Sequence, residues 1–223
     1  ISDSVSERKW NDAVKLYDAV WAPSPRRVRI YLAEKGIAVE RVMIDLRADE
    51  QLGPAYLAVN PRGMVPALLL DDGEVICESA AICRYFEALH PDPPLFGGNA
   101  LEIARIESMT RRIENEGYAA AVYVLRNGNP AFAGRGAAGN WPNMAQIPQL
   151  AARGMLMWDM FVDMLDKELA ARPWMTGETY TFADITALAT IDFAKAAKLV
   201  VPESAANLRR WHAAASARPS AAA

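Results

Sequence analysis

The stretch NPRGMVPALLLDDGEVICESAAICRYF, residues 60–86, decides the fold. Residues 60–63 form a turn by composition, because asparagine, proline and glycine all favour chain reversal. Val65 and residues 67–70 read as a strand, Asp72-Gly73 as a hairpin turn, and residues 74–77 as the returning strand. The period then changes: from Ser79 to about Leu89 the apolar residues Ile82, Tyr85, Phe86 and Leu89 recur at helical spacing, which predicts a helix with those residues on its buried side. Pro66 is the awkward residue, since proline cannot donate to a β-ladder and belongs at a strand's first residue, an edge or a bulge. Two readings stay open: a trans proline on an edge, or a cis Val65-Pro66 bond that turns neighbouring backbone groups outward, free for a peptide-like ligand.

Toward the N-terminus, KLYDAV (15–20) reads as a strand and APSP (22–25) breaks it. RRVRIYLAEKGI (26–37) has helical periodicity through Val28 and Leu32, flanked by Ile30 and Tyr31, and closes at Gly36. ERVMID (40–45) reads as a second strand, reached by a crossover long enough for parallel pairing. The front half is therefore βαβ followed by ββα.

Toward the C-terminus, HPDPPLFGG (90–98) is a proline- and glycine-rich linker. Helical patterning resumes from 99 to about 125, with Ile103, Ile106, Met109, Ile113 and Tyr118 among its apolar positions. Residues 127–143 read as a loop that either covers a site or joins two helices, and a second long helix is expected over about 145–170. In TFADITALATIDFAKAAKL (181–199), Thr181 caps a helix, Asp184 returns a bond from the third helical position, and Tyr180 can staple onto Ile185. Asp184 is thus assigned a structural role. A last helix over about 205–216 carries Trp211, expected to be packed.

The chain has 223 residues, 52% of them hydrophobic, and a net charge of -3, which gives no general pull toward nucleic acid or an anionic membrane. Arg26, Arg27 and Arg29 are confined to one helix and are read as facing an anionic ligand or solvent. Cys77 and Cys83 suit buried apolar positions in a reduced, cytoplasmic protein, with neither a disulfide scaffold nor a metal site. No apolar run approaches the roughly 20 residues that cross a bilayer. The polar residues 1–12 read as a loose lead-in unlike a signal peptide.

PRRVRIYLAEKG (25–36), NPRGMVPALLLDDGEVICESAAICRYF (60–86) and TFADITAL (181–188), in this order and spacing, resemble the cytosolic glutathione transferase superfamily, in particular bacterial members whose first helix reads RRVR. The resemblance implies a thioredoxin-like α/β domain at 13–91, an all-α domain at 99–220 that contributes the electrophile site, glutathione as co-substrate, and a homodimer. It implies that Val65 holds the cysteinyl part of glutathione through its backbone, just before a cis Pro66, and that Glu78 and Ser79 grip the γ-glutamyl end. Elementary physics agrees: a serine at a helix start offers a hydroxyl and free N–H groups to a carboxylate, and a glutamate pairs with an ammonium. A plain N-terminal cap is the alternative for Glu78-Ser79. Gln51 is a candidate contact for the glycyl carboxylate, as is Arg62, although solvent exposure explains both; Met64 adds no charge.

Glutathione transfer needs a thiolate at neutral pH, whereas a free thiol titrates near ~8.5. By the resemblance, position 22 holds the activating hydroxyl or thiol, and here it is Ala22. Ser24 is the leading substitute, with a helix cap for a helix starting at Pro25 as its alternative. Backbone N–H groups at the helix start, aided by Arg26 and Arg27, are a second route. Tyr17 reads as packed. An acceptor pocket for a small hydrophobic electrophile is expected between Trp21-Ala22 and the long helices, with Arg105, Arg112, Tyr118 and Tyr123 as lining. Loss of activation at Ala22 would instead leave a noncatalytic binder of glutathione or of a hydrophobic ligand. Apolar residues around Met64 and along 103–113 are candidate subunit contacts.

Overall fold

The structure, a computed structural model, describes residues 14–223, so the polar lead-in lies outside the described residues. Four strands, β1 (Lys15–Asp18), β2 (Glu40–Met43), β3 (Ala67–Leu69) and β4 (Val75–Cys77), form one sheet in the order β2-β1-β3-β4. β1 and β2 are parallel, with Lys15 opposite Glu40, while β3 runs antiparallel to both β1 and β4. A parallel pair needs a crossover, and α1 (Pro23–Lys35) supplies it. α1 closes at Gly36, whose φ of 65° a Cβ would oppose, with the Gly36 and Ile37 N–H groups donating to Ala33 and Leu32. α3 (Ser79–Leu89) follows the β3–β4 hairpin and completes the βαβ-ββα front half.

Four local expectations need correction. α1 begins at Pro23 rather than Arg26, because proline at the first helical position sacrifices no hydrogen bond. Val65 stands outside the ladder, which starts at Ala67. On α3, Tyr85 is half-buried and Leu89 is 37% exposed, so only Ile82 and Phe86 of the expected stripe are buried. A short helix between β2 and β3, α2 (Pro54–Leu57), was not foreseen: four residues carry no readable period.

The back half is helical. Asn99 caps α4 (Ala100–Arg112), its side chain accepting from the Leu101 and Glu102 N–H groups. A π-helical turn (Ile113–Tyr118) carries the rod into α5 (Ala119–Gly128). α6 (Pro148–Glu168), α7 (Phe182–Ala194) and α8 (Ala206–Ser216) follow. The rod packs closely on α6, and the Phe161 ring lies directly over Gly117. Ile106, Met109 and Ile113 are buried in the core, so of the apolar residues considered for subunit contact on that helix only Ile103 is exposed.

α7 has the predicted capping box. Asp184 is wholly buried; its Oδ2 accepts from the Thr181 N–H and hydroxyl, and its Oδ1 from the Met175 N–H and the Trp211 indole. The Tyr180 ring packs edge-on to Trp174 and lies 4.1 Å beneath the Arg218 guanidinium.

The arginines of α1 correct another expectation. Arg26 bridges to Asp192 at 2.7 Å, and Arg27 bridges to Glu114 at 2.7 Å and reaches the Thr186 hydroxyl. Arg29 turns inward onto Asp18 at 2.6 Å and the Ala19 and Val20 carbonyls. The charges of the cluster are therefore paired within the protein, and two of its members bolt the α/β half to the helical half. Among the described residues no helix is long and apolar enough to cross a membrane.

Candidate active site

The start of α1, the turn before β3 and the start of α3 converge on one cleft, lined by Ser24, Asn60, Arg62, Met64, Val65, Pro66, Cys77, Glu78 and Ser79. Val65-Pro66 is cis, not the trans edge proline. The Val65 N–H and C=O take no part in the ladder. The carbonyl before them, that of Met64, accepts from the Tyr56 hydroxyl at 2.6 Å and Asn60 Nδ2 at 2.7 Å, which fixes the turn and leaves Val65 free to bond a ligand. Asn60 also accepts the Arg62 N–H, the Asx-type turn that asparagine favours. Tyr56 and Asn60 were both missed as site residues. The NPRG composition signalled Asn60, but nothing signalled Tyr56, which lies on the short α2.

Glu78 occupies the cap position of α3 without capping it; its carboxylate pairs with Arg62 at 2.6 Å. The N–H groups of Ser79, Ala80 and Ala81 have no acceptor among the described residues, and the buried Ser79 presents its hydroxyl to the same cleft. The helix start is thus a ready anion site. The plain-cap alternative for Glu78 is not what the side chain does.

Ala22 is the cap residue of α1, 6% exposed and with no side chain able to donate. Because α1 starts at Pro23, Ser24 sits inside the first turn, past the cap position, and its hydroxyl has no hydrogen-bond partner among the described residues. The backbone route is thin here. Pro23 and Pro25 have no N–H, and the Arg26 N–H is taken by the Ala22 carbonyl, so the first turn offers only the Ser24 N–H and hydroxyl. Arg26 and Arg27 are neutralised by Asp192 and Glu114.

Other candidates fall elsewhere. Gln51 is buried rather than solvent-exposed; it packs behind the turn against Gly63, outside the cleft lining, and its Oε1 has no partner. Arg112, like Arg105, lines a separate cavity between α4 and the segment that follows α6, and neither lines the cleft that holds Ser24. Trp21 is 59% exposed with the Arg47 guanidinium over its ring, the Tyr118 ring packs at a tilt against Phe193, and Tyr123 lies where α5 meets Gly154. None of Trp21, Ala22, Tyr118 and Tyr123 lines the cleft that holds Ser24.

Tyr17 packs edge-on to Tyr56. Cys83 is buried as expected, but Cys77 is half-buried in the cleft wall; burial and the neighbouring Glu78 push its thiol pKa up, away from reactivity. The segment after α5 reaches the cleft as well: the Asn140 N–H donates to the Arg62 carbonyl at 2.7 Å, and Arg135 pairs with Asp49 at 2.8 Å.

Comparison with known proteins places this geometry. Residues 21–89 match the family "Glutathione S-transferase, N-terminal domain" and residues 159–219 "Glutathione S-transferase, C-terminal domain". The chain is 35% identical over 217 residues to Glutathione S-transferase 2 of Saccharomyces cerevisiae, covering 95% of this chain and 89% of that protein. Among solved structures it is similar to Gtt2 of S. cerevisiae (TM-score 0.84, 35% identity, 92% of this chain and 97% of that one). It is also similar to a glutathione S-transferase domain-containing protein of Marinobacter aquaeolei VT8 (TM-score 0.83, 32% identity, 92% and 98%). The chain belongs to the glutathione S-transferase family.

Proposed function

We propose that the protein binds glutathione in the Ser24–Ser79 cleft, stabilises its thiolate, and joins the sulfur to a small hydrophobic electrophile. The observation that carries this reading is that an unpartnered hydroxyl, Ser24, shares one cleft with the free backbone groups of Val65 and the open helix start at Ser79. The γ-glutamyl carboxylate sits on the Ser79 hydroxyl and the α3 N–H groups, Glu78 takes the ammonium, and Val65 takes the cysteinyl amide. Gln51 serves the glycyl end only through the turn it supports. This pose directs the sulfur to the start of α1, where the Ser24 hydroxyl donates to the thiolate, lowering its pKa so that the thiol proton leaves to solvent. The sulfur lone pair then forms the new C–S bond, and the acceptor's leaving group or π electrons take up the charge.

The acceptor lies between Trp21-Ala22 and Tyr118 with Tyr123. Support comes from the Arg27–Glu114 bridge, which holds the rod one turn short of Tyr118 against the first turns of α1. Residues 13–91 act as the glutathione-binding domain and 99–220 as the helical domain. The Arg26–Arg29 run supports a grouping with bacterial members, the free thiols of Cys77 and Cys83 suit a reducing cytoplasm, and exposed Leu101 and Ile103 suit a homodimer.

The test is conjugation of glutathione to chlorodinitrobenzene. Ser24→Ala is expected to lower kcat/KM by about 10- to 100-fold, the range for one hydrogen bond to a charged group; an unchanged rate contradicts the assignment. The buried methyl of Ala22 favours one second reading, a noncatalytic binder, for which glutathione would bind without any turnover.

A further inference from the structure

We propose that Trp21 and Arg47 form the surface that chooses the acceptor, and that it selects flat electrophiles carrying an acidic group, such as nitroaromatic carboxylates. The inference rests on the acceptor position given above, beside Trp21-Ala22. β1 and β2 are parallel, so the turn after β1 and the loop after β2 leave the same edge of the sheet, the edge at which parallel strands present ligand sites. Trp21 stands three residues past β1 and Arg47 four past β2. The guanidinium lies over the indole, 5.8 Å from the ring centroid.

The turn is held firmly and carries unusual residues. The Ala22 N–H donates to the Ala19 carbonyl at 3.0 Å, closing a β-turn whose two central residues are Val20 and Trp21, where glycine and polar residues are favoured. Buried Arg29 fixes the turn from within by donating to the Ala19 and Val20 carbonyls. Val20 remains 61% exposed and Trp21 59% exposed, even with Arg47 over the indole. Adjacent exposed apolar side chains on a fixed turn mark a contact surface, and an indole stacks well on a flat ring. Consecutive Cα atoms are about 3.8 Å apart, so the Cα atoms of Trp21 and Ser24 are at most about 11 Å apart. An acceptor on the platform is thus within reach of a sulfur held at Ser24.

Arg47 adds the charge preference. Among the described residues of the α/β half, 14–91, every other lysine and arginine bridges a carboxylate, and Arg47 bridges none. The acids of its own loop are engaged elsewhere. Asp45 accepts from the Arg47 and Ala48 N–H groups, Glu50 accepts from the Asp45 N–H, and Asp49 pairs with Arg135. A guanidinium laid on an aromatic face keeps its N–H donors in the plane, where they match a carboxylate two at a time. Apolar area and an unpaired cation side by side therefore favour an anionic aromatic over its neutral counterpart.

The test is calorimetric titration of the full chain, saturated with S-methylglutathione, with para-nitrobenzoate and with its neutral counterpart para-nitrobenzamide. The benzoate is expected to bind about tenfold more tightly, the scale of one hydrogen bond between charged groups, with a preference that shrinks as salt is added. Arg47→Gln should abolish the preference, Arg47→Lys should keep part of it, and Trp21→Leu should weaken both probes alike. Equal affinities in the parent chain, or a preference that survives Arg47→Gln, overturns the proposal. An equal loss of S-methylglutathione affinity in Arg47→Gln would assign the guanidinium to the glycyl carboxylate and overturn it as well. Because binding rather than turnover is read, failure of the transferase reading shows separately, as absent conjugation with the charge preference intact.

Discussion

Glu78 has a φ of 70°, outside the usual range for a residue with a Cβ. Such backbones cost of order 1–3 kcal/mol and persist where the surroundings impose them. Its carboxylate gains little in return from the protein, because the pair with Arg62 is exposed and such pairs contribute little. The position makes sense if the carboxylate serves a ligand. Glu78→Gly is therefore expected to hold or raise the melting temperature while weakening glutathione binding about tenfold by calorimetry; loss of both together would make Glu78 structural. At this scale the sequence was legible where one residue type has one use, as with Asp184 behind Thr181. It was not legible at Ser24, where Ser-Pro serves equally as a cap, and only the start of α1 at Pro23 separates the two roles.

The rod of α4, π turn and α5 depends on one close approach. A Cβ built on Gly117 would lie 2.4 Å from the Phe161 ring, which is itself buried and cannot yield. Overpacking of this kind typically costs 1–3 kcal/mol, so Gly117→Ala should lower stability by about that amount in denaturant unfolding. Adding Phe161→Leu should restore part of it, since contacting residues couple. Two independent, additive losses would contradict the packing argument. The helices on either side were readable from their apolar period, but the π turn was not, since one extra residue shifts the phase of a pattern without breaking it. The loop expected over 127–143 was readable only as a loop. Its attachment to the Arg62 carbonyl runs through a backbone N–H of Asn140, which any residue but proline supplies.

Across the whole molecule, ion pairs hold the two halves together. Asp192 is partly buried, which alone would raise its pKa, yet His212, Lys195 and Arg26 hold it well below the usual carboxylate range. In the same way Arg218 and Ser220 outweigh burial and lower that of Glu34 on α1. A carboxylate with a depressed pKa in the folded state contributes stability above its unfolded value of about 3.9, and loses it as pH falls through that value toward the folded one. Asp192→Asn should thus melt below the parent chain at pH 7, with the gap closing below about pH 4; a constant gap across that range would contradict the linkage. None of these pairs was legible in the sequence. Arg26 and Asp192 are 166 positions apart, and a basic cluster on one helix says nothing of what a distant helix brings to it.

The thiolate absorbance of the glutathione complex, followed from pH 5 to 9 in the parent chain and in Ser24→Ala, tests the central claim most directly. The account predicts an apparent thiol pKa well below the free value near ~8.5 in the parent and a return toward it in the variant. A thiol bound tightly with an unshifted pKa, or a shift that survives Ser24→Ala, would contradict it.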